Sequence, residues 1–399
     1  MDPVDPRNEG PTAVTPGPLA GEAPADRVCD AIPEEQCTAV AGNYVRNLAN
    51  GAATRLAEQL AGPNLVLPWL LAGVGAPAAL IGFLAPVRQA GALLPQLALA
   101  ALVRRLPQRK WAWSGAAGLQ AVCLLVMIPA ALGLPPVQAG LAVLALLAVF
   151  SVASGLGAVA FQDVMGKTIP KGRRGRLLGQ RATLGGGLTV IAGALLYTTR
   201  DTGESAAMYA ALVGAAALLW VLGAMLFAQI EELPGATEGG RNALDQARQG
   251  VARWHAVPAF RRYLVARALL LTVELAAPFY ALYARDLFGG ALAVLGIYVL
   301  AVGVGDVVAS PLWGRLADSS GRRRMILAGV LAAALAVMAL LLGEPGTGAA
   351  SPWIFGLVFA GLVVAESGVR FGRKTWLVDA VEADERPLSW PSPTRAWPP

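Results

Sequence analysis

Apolar runs long enough to cross the hydrocarbon core of a bilayer, for which about 20 helical residues are needed, dominate the chain from residue 64 to residue 370. In lipid, every backbone N–H and C=O group must find a partner within the protein, and single runs of this length achieve that as helices. The pattern therefore predicts an all-α fold, a polytopic transmembrane helix bundle. The ten runs cover residues 64–86, 87–103, 111–133, 137–160, 178–199, 207–230, 263–284, 291–313, 325–343 and 352–370.

Composition supports the same fold class. Charged residues make up 15% of the chain and apolar residues 56%, whereas about a quarter of a soluble domain is charged. The net charge of +6 would suit a nucleic-acid-binding protein, but the basic residues lie in short loops between apolar runs. That distribution is typical of membrane topology, so the lipid bilayer is the predicted partner and nucleic acid is not.

The basic residues also orient the predicted helices. Loops that follow the odd-numbered runs hold only Arg88, Arg200 and Arg285, whereas the loops that follow the even-numbered runs hold most of the remaining lysines and arginines. Cytoplasmic loops are enriched in Lys and Arg. The even-numbered loops and both termini are therefore predicted to be cytoplasmic, in a bacterial-type inner (plasma) membrane.

Polar segments divide the chain into parts. The first part is rich in Pro, Gly and acidic residues, which predicts disorder. The next part opens with an amphipathic segment, residues 43–62, that is predicted to lie on the inner membrane surface. The predicted parts are a disordered cytoplasmic tail (1–42), a six-helix bundle with this lead-in (43–230), a cytoplasmic linker (231–262), a four-helix bundle (263–387) and a Pro-rich tail (388–399).

The loop between the eighth and ninth runs, residues 314–324, reads GRLADSSGRRR. Its first glycine allows close helix packing at the membrane edge, and its second permits a tight turn. The aspartate suits a facing helix N-terminus, and the basic run suits the anionic inner surface. A plain basic turn is the alternative, although it does not account for the Gly-x₃-Asp-x₂-Gly spacing. The predicted gating residues are Gly314, Asp318, Gly321, Arg322, Arg323 and Arg324.

This loop resembles the G-x-L-a-D-x-x-G-R-R/K loop that joins the second and third helices of each bundle in the major facilitator superfamily. Residues 102–110 occupy the same place in the first half, with Arg104 where Asp318 stands and Pro107 where Gly321 stands. A gate in the first half would therefore use other contacts. The resemblance covers about residues 43–387 and implies a two-bundle architecture whose second bundle is incomplete.

The end of the chain departs from that resemblance, which implies twelve helices. Residues 381–399 read VEADERPLSWPSPTRAWPP. Proline lacks a backbone donor and breaks helices, so this stretch cannot form an eleventh span. We expect that the chain is truncated after the tenth helix.

Three acidic residues lie within or near the predicted spans. A charge at the bilayer centre is unfavourable by about 2.5–3.5 kcal/mol, so such a residue usually faces a cavity or a partner. Glu274 and Asp306 are candidates for solute binding or ion coupling, with Arg267 as an alternative structural partner of Glu274. Glu366 is the third candidate, although its spacing of four residues from Arg370 favours an ion pair on one helix face.

Two tyrosines and a group of glycines complete the candidate positions. Tyr280 and Tyr298 are candidates to line a solute cavity, with packing or interfacial anchoring as the alternative for both. In the fifth run, residues 185–187 are all glycine and Gly193 follows. These small residues allow another helix to cross closely.

The sequence predicts no enzyme activity, no metal and no cofactor, because it holds no cluster of His, Asp and Glu for metal binding or acid–base work. Residues 166–168, Gly-Lys-Thr, resemble the end of a phosphate-binding loop. That loop needs a glycine at position 161, which is Phe161, so no nucleotide is expected.

The predicted function is secondary active transport of a small-molecule solute by alternating access, coupled to protons or another ion. The alternative is a non-transporting membrane scaffold or a degenerate transporter remnant, which the two missing helices favour. Acidic residues that share one cavity would favour transport over that alternative.

Overall fold

The computed structural model describes residues 37–199, 205–235, 252, 254–255, 258–315, 321–343 and 351–380. The predicted tails 1–42 and 388–399 lie mostly or wholly outside these residues, as does most of the linker 231–262. Regular structure in the described part is helical. The helices are α1 (Val40–Leu60), α2 (Val66–Gly73), α3 (Ala78–Gly82), α4 (Leu84–Leu93), α5 (Gln96–Arg104), α6 (Lys110–Gly133), α7 (Pro136–Thr168), α8 (Lys171–Thr198), α9 (Ala206–Ala228), α10 (Pro258–Phe288), α11 (Leu292–Arg315), α12 (Gly321–Leu342) and α13 (Pro352–Ala380).

Seven segments of these helices are long and apolar enough to cross a membrane. They confirm the predicted third, fourth, sixth and seventh to tenth runs. Hydropathy predicts such helices without knowledge of their packing, because side chains that face lipid are apolar. The segments are Lys110–Gly133, Pro136–Thr168, Ala206–Ala228, Leu264–Phe288, Leu292–Trp313, Met325–Leu342 and Pro352–Arg370.

The predicted boundary between the first two runs, at residues 86 and 87, is wrong. Those residues lie inside α4, and the chain turns instead between α2 and α3. Gly75 in that turn has φ 78°, a left-handed conformation that favours glycine. This turn therefore separates α1 and α2 from α3 to α5, and Arg88 lies within a helix rather than in a loop.

The amphipathic lead-in was predicted to lie on the membrane surface, and the structure corrects this. Helix α1 packs against α8 and α9. Asn43, Asn47, Asn50 and Thr54 recur at helical spacing and are all buried, so the polar face of α1 points inward. Asn50 Nδ2 donates to Gly223 O at 2.9 Å, which satisfies the amide inside the bundle.

The two halves of the molecule, α1–α9 and α10–α13, meet most closely where α8 crosses α11. Gly193 lies against the backbone of Leu300 and Gly296, and Gly186 lies against Val307 and Gly303. The order of these contacts shows that the two helices run antiparallel. The predicted close crossing is therefore confirmed at positions 186 and 193, because only glycine leaves room for backbone contact there.

A second contact between the halves is aromatic and lies where α10 packs against α2, α3 and α4. Trp69 of α2 donates its Nε1 to Ala281 O of α10 at 3.2 Å. The Trp69 ring also meets Tyr209 and Tyr298 edge-on, at centroid distances of 6.0 and 6.1 Å.

Candidate functional site

An ion pair joins the two halves at Asp306, one of the predicted site residues. Arg55 Nη2 of α1 lies 2.5 Å from Asp306 Oδ1 of α11. Gln59 Nε2 donates to the other carboxylate oxygen at 3.3 Å, and Arg55 Nη1 lies 3.5 Å from Glu58 Oε2. The Asp306 side chain is only 5% exposed, so its charge depends on these partners rather than on water.

Glu274 forms a contact of the same kind. Gln89 of α4 donates its side-chain amide to the Glu274 carboxylate of α10. Arg267, the alternative partner considered from the sequence, does not form an ion pair with Glu274 among the described residues. Both Glu274 and Asp306 therefore accept hydrogen bonds across the boundary between the halves.

Glu366 lies on α13 and is partly buried. The ion pair with Arg370 that its spacing favoured is absent from the described structure, where Arg370 Nη2 donates to Ser367 Oγ at 2.7 Å instead. Arg370 nevertheless lies near enough to act on the Glu366 charge, as do Glu274, Asp306 and Arg55. The three predicted acids thus share one electrostatic neighbourhood, although they do not contact one another.

The two predicted tyrosines occupy different surroundings. Tyr298 is fully buried, stacks on Phe359 at 4.7 Å and packs against Phe355 and Trp69. These ring contacts fit the packing alternative, and the hydroxyl has no hydrogen-bond partner among the described residues. Tyr280 is partly buried against the same core.

The predicted gating loop is described only at its edges. Gly314 is in the last turn of α11, and Gly321 begins α12. Arg323 is exposed. Asp318 lies outside the described residues, as do the side chains of Arg322 and Arg324.

The corresponding end of the first half holds a cluster of charged contacts. The Glu232 side chain is fully buried, with Lys167 Nζ 2.9 Å from its carboxylate and the Lys110 backbone N–H donating at 2.8 Å. Lys167 also lies 3.3 Å from Asp163, which is paired with Arg109. Neither of the two acids in this cluster, Asp163 and Glu232, was among the residues predicted from the sequence.

A cavity of about 160 Å³ lies inside the first half, among α1, α6, α7, α8 and α9. Its walls include Glu58, Gln120, Ser154 and Arg181. Arg88 of α4 donates to Ser154 Oγ at 3.0 Å. No pattern in the sequence predicts this cavity, apart from a single arginine, Arg88, within a long apolar stretch.

Among the described residues, no group of three or more His, Cys, Asp or Glu side chains is arranged to hold a metal ion.

Comparison with known proteins gives consistent results. Residues 48–365 match the model of the Major Facilitator Superfamily. Uncharacterized proteins of Mycobacterium tuberculosis and Mycobacterium bovis are 27% identical over 356 residues, which is 88% of this chain and 68% of each relative.

Solved transporters share the fold. A D-xylose-proton symporter has a TM-score of 0.54 at 15% identity, with 87% of each chain covered. A nucleoside transporter has a TM-score of 0.56 at 11% identity, covering 85% of this chain and 96% of its own. A POT family transporter in complex with a thioalcohol-conjugated peptide has a TM-score of 0.56 at 14% identity, covering 87% and 86%. The family model matches most of the chain, and the described residues include seven helices apolar enough to cross a membrane. This chain therefore belongs to the Major Facilitator Superfamily and is a multi-pass membrane transporter, not an enzyme.

Proposed function

We propose that the protein is a secondary active transporter that moves a small solute by alternating access, in which one half rocks against the other. The observation that supports this most directly is the buried ion pair between Arg55 and Asp306. Alternating access requires contacts between the halves that form in one state and break in another. A charged pair whose members sit on different halves is suited to such a contact.

We further propose that protons drive the cycle through Asp306. Protonation of the Asp306 carboxylate would remove the charge that holds Arg55, weaken the contact and free the halves to move. Glu274 is the second candidate, because it also receives a hydrogen bond from the opposite half. Glu366 lies close enough to stabilise or repel charge at either position.

The two charged ends are proposed to act as gates on the cytoplasmic side of a bacterial-type inner membrane, with both termini cytoplasmic. In the second half the gate would be residues 314–324. In the first half it would be the cluster around Glu232, whose lysine and arginine partners come from the ends of α6 and α7. Basic residues at this side agree with the bias that orients membrane proteins.

Spin labels at the two ends of the molecule test alternating access. Arg176 and Arg323 are exposed at the starts of α8 and α12, which lie at one end because α8 and α11 are antiparallel. Val137 and Trp353 are exposed at the starts of α7 and α13, at the other end. In a cysteine-free background in liposomes, we expect each labelled pair to show two distances, with acidification lengthening one pair and shortening the other. A single distance that is insensitive to pH in both pairs would favour a non-transporting scaffold.

Coupling is tested with Asp306→Asn and Glu274→Gln in liposomes that contain a pH-sensitive dye. We expect Asp306→Asn to keep solute exchange but to lose solute-dependent proton movement by about tenfold or more, because an amide cannot carry the proton. Glu231→Gln, at a side chain that is 63% exposed, is the control. Loss in Glu274→Gln alone would transfer the role to Glu274, and normal coupling in both variants would exclude both acids.

A further inference from the structure

We infer that the cavity in the first half binds a small organic monoanion, a carboxylate with an apolar or aromatic body. The inference goes beyond the proposed transport function and does not depend on it, because the cavity lies within one half and not between the halves. It is carried by three independent features of the cavity, namely its excess of positive charge, its unpartnered donors and its aromatic walls.

The positive charge comes from two arginines that have no carboxylate within 4 Å among the described residues. Arg181, in the cavity wall, donates to Asn47 O and Oδ1 at 2.7 and 2.8 Å and to Asn50 Oδ1 at 3.2 Å. Arg88, behind Ser154, lies 5.4 Å from the centroid of the Phe150 ring. These neutral partners satisfy N–H groups but leave both charges in place.

Among the described residues, one carboxylate acts on both arginines. Glu58, in the cavity wall, acts on Arg88 and on Arg181 through space. Glu58 also lies beside Arg55, which is paired with Asp306. Two arginines therefore share one carboxylate at the cavity, and a single negative charge bound there would balance them. Both arginines are partly buried, and a charge removed from water is unfavourable unless it is paired.

Two hydrogen-bond donors in the cavity wall point to the same ligand. Gln120 and Trp220 are 2% and 5% exposed, and both line the cavity. Neither Gln120 Nε2 nor Trp220 Nε1 has an acceptor among the described residues. Buried donors are nearly always paired in folded proteins. The missing partner of each N–H group is therefore a hydrogen-bond acceptor. A carboxylate offers two acceptor oxygens and no donor.

The size and the walls of the cavity indicate the rest of the ligand. A cavity of about 150 Å³ with apolar walls can hold a benzene molecule, and this one measures about 160 Å³. Trp113, Phe161 and Trp220 contribute aromatic surface to its walls. Trp113 is fixed by stacking on Phe227 at 4.2 Å. An inorganic anion would leave these rings uncovered, whereas a ring or a short chain bearing one carboxylate would fill the space.

The test measures the melting temperature of the purified full-length protein in detergent with a panel of probes. The panel is acetate, butyrate and benzoate, each compared with its neutral amide. We expect benzoate to raise the melting temperature saturably by a few degrees, as a ligand that binds only the folded state must, and benzamide to have no comparable effect. Equal shifts with acid and amide, or no shift with any carboxylate, would overturn the inference.

Two variants locate the effect in the cavity. Arg181→Gln should weaken benzoate binding by about tenfold or more, since a charged hydrogen-bond partner is lost, while Arg176→Gln, an exposed position on the same helix, should not. Because Arg181 also holds Asn47 and Asn50, its variant can fail to fold. Gln120→Met avoids this problem, because it removes only an unpartnered donor. We expect it to leave the empty protein equally or more stable and to weaken benzoate binding; unchanged binding would exclude the cavity.

Transport is scored separately, by counterflow of labelled benzoate in liposomes. Binding without counterflow of benzoate would leave the anion site standing and show that benzoate is not a transported solute. Counterflow of a neutral solute by a protein that binds no carboxylate would support the proposed transport function and overturn the anion site.

Discussion

Gly193→Ala is expected to destabilise the protein by about 3 kcal/mol, at the upper end of the usual range for an overpacked site. A Cβ at position 193 would collide with the backbone nitrogen of Leu300 and lie 2.7 Å from its Cα and 2.8 Å from Gly296 O. All three obstacles are backbone atoms of α11, so no side-chain rotation can relieve them. The two helices must separate instead, and with them the two halves of the transporter.

Gly187→Ala on the same helix is the matched control, and its effect is expected to have the opposite sign. A Cβ at position 187 meets nothing within 4 Å. Replacing glycine by alanine inside a helix then stabilises the fold by about 0.5–1 kcal/mol, because the unfolded chain loses freedom. Thermal unfolding in detergent, read with size-exclusion chromatography, compares the two variants. Equal melting temperatures would contradict the close crossing of α8 and α11.

Hydropathy predicted the apolar helices correctly but misplaced helix α1, which has a polar face. Hydropathy reports which side chains face lipid, and in α6, α9 and α12 these are nearly all apolar. Hydropathy does not identify α1 as part of the bundle, because this helix carries Asn43, Asn47 and Asn50 on a face that points inward. The regular spacing of these residues was visible in the sequence, but an inward polar face and a membrane-surface helix have the same pattern.

The candidate site was predicted in part for a related reason. Asp306 could be recognised because a lone acid in an apolar run needs a partner. Its partner Arg55 lies 251 residues earlier in the sequence and could not be identified without the packing of α1 against the rest of the molecule. Arg88 was mistaken for a loop residue, since it stands near the wrongly placed boundary at residues 86 and 87. The cavity itself depends on five helices at once, which no local pattern describes.

Arg55→Gln is expected to destabilise the protein by about 3 kcal/mol, near the lower limit for breaking a buried pair, and Asp306→Asn by less. Without Arg55, the Asp306 carboxylate keeps only the hydrogen bond from Gln59 at 3.3 Å, and with 5% exposure it has little access to water. Without the Asp306 charge, the Arg55 guanidinium is less destabilised than the Asp306 carboxylate is without Arg55. Its side chain is 26% exposed, and Glu58 remains 3.5 Å away.

The double variant separates pairing from simple loss of packing. If the pair holds the halves together, Arg55→Gln with Asp306→Asn should be more stable than Arg55→Gln alone, because no unpaired carboxylate remains. A coupling energy of about 1–3 kcal/mol is expected for groups in direct contact. Arg46→Gln is the control, since its partner Glu231 is 63% exposed and a surface pair contributes at most about 1 kcal/mol. Additive effects of the two single changes would mean that the halves are held by α8 and α11 alone, and Asp306 would then lose its proposed place in the transport cycle.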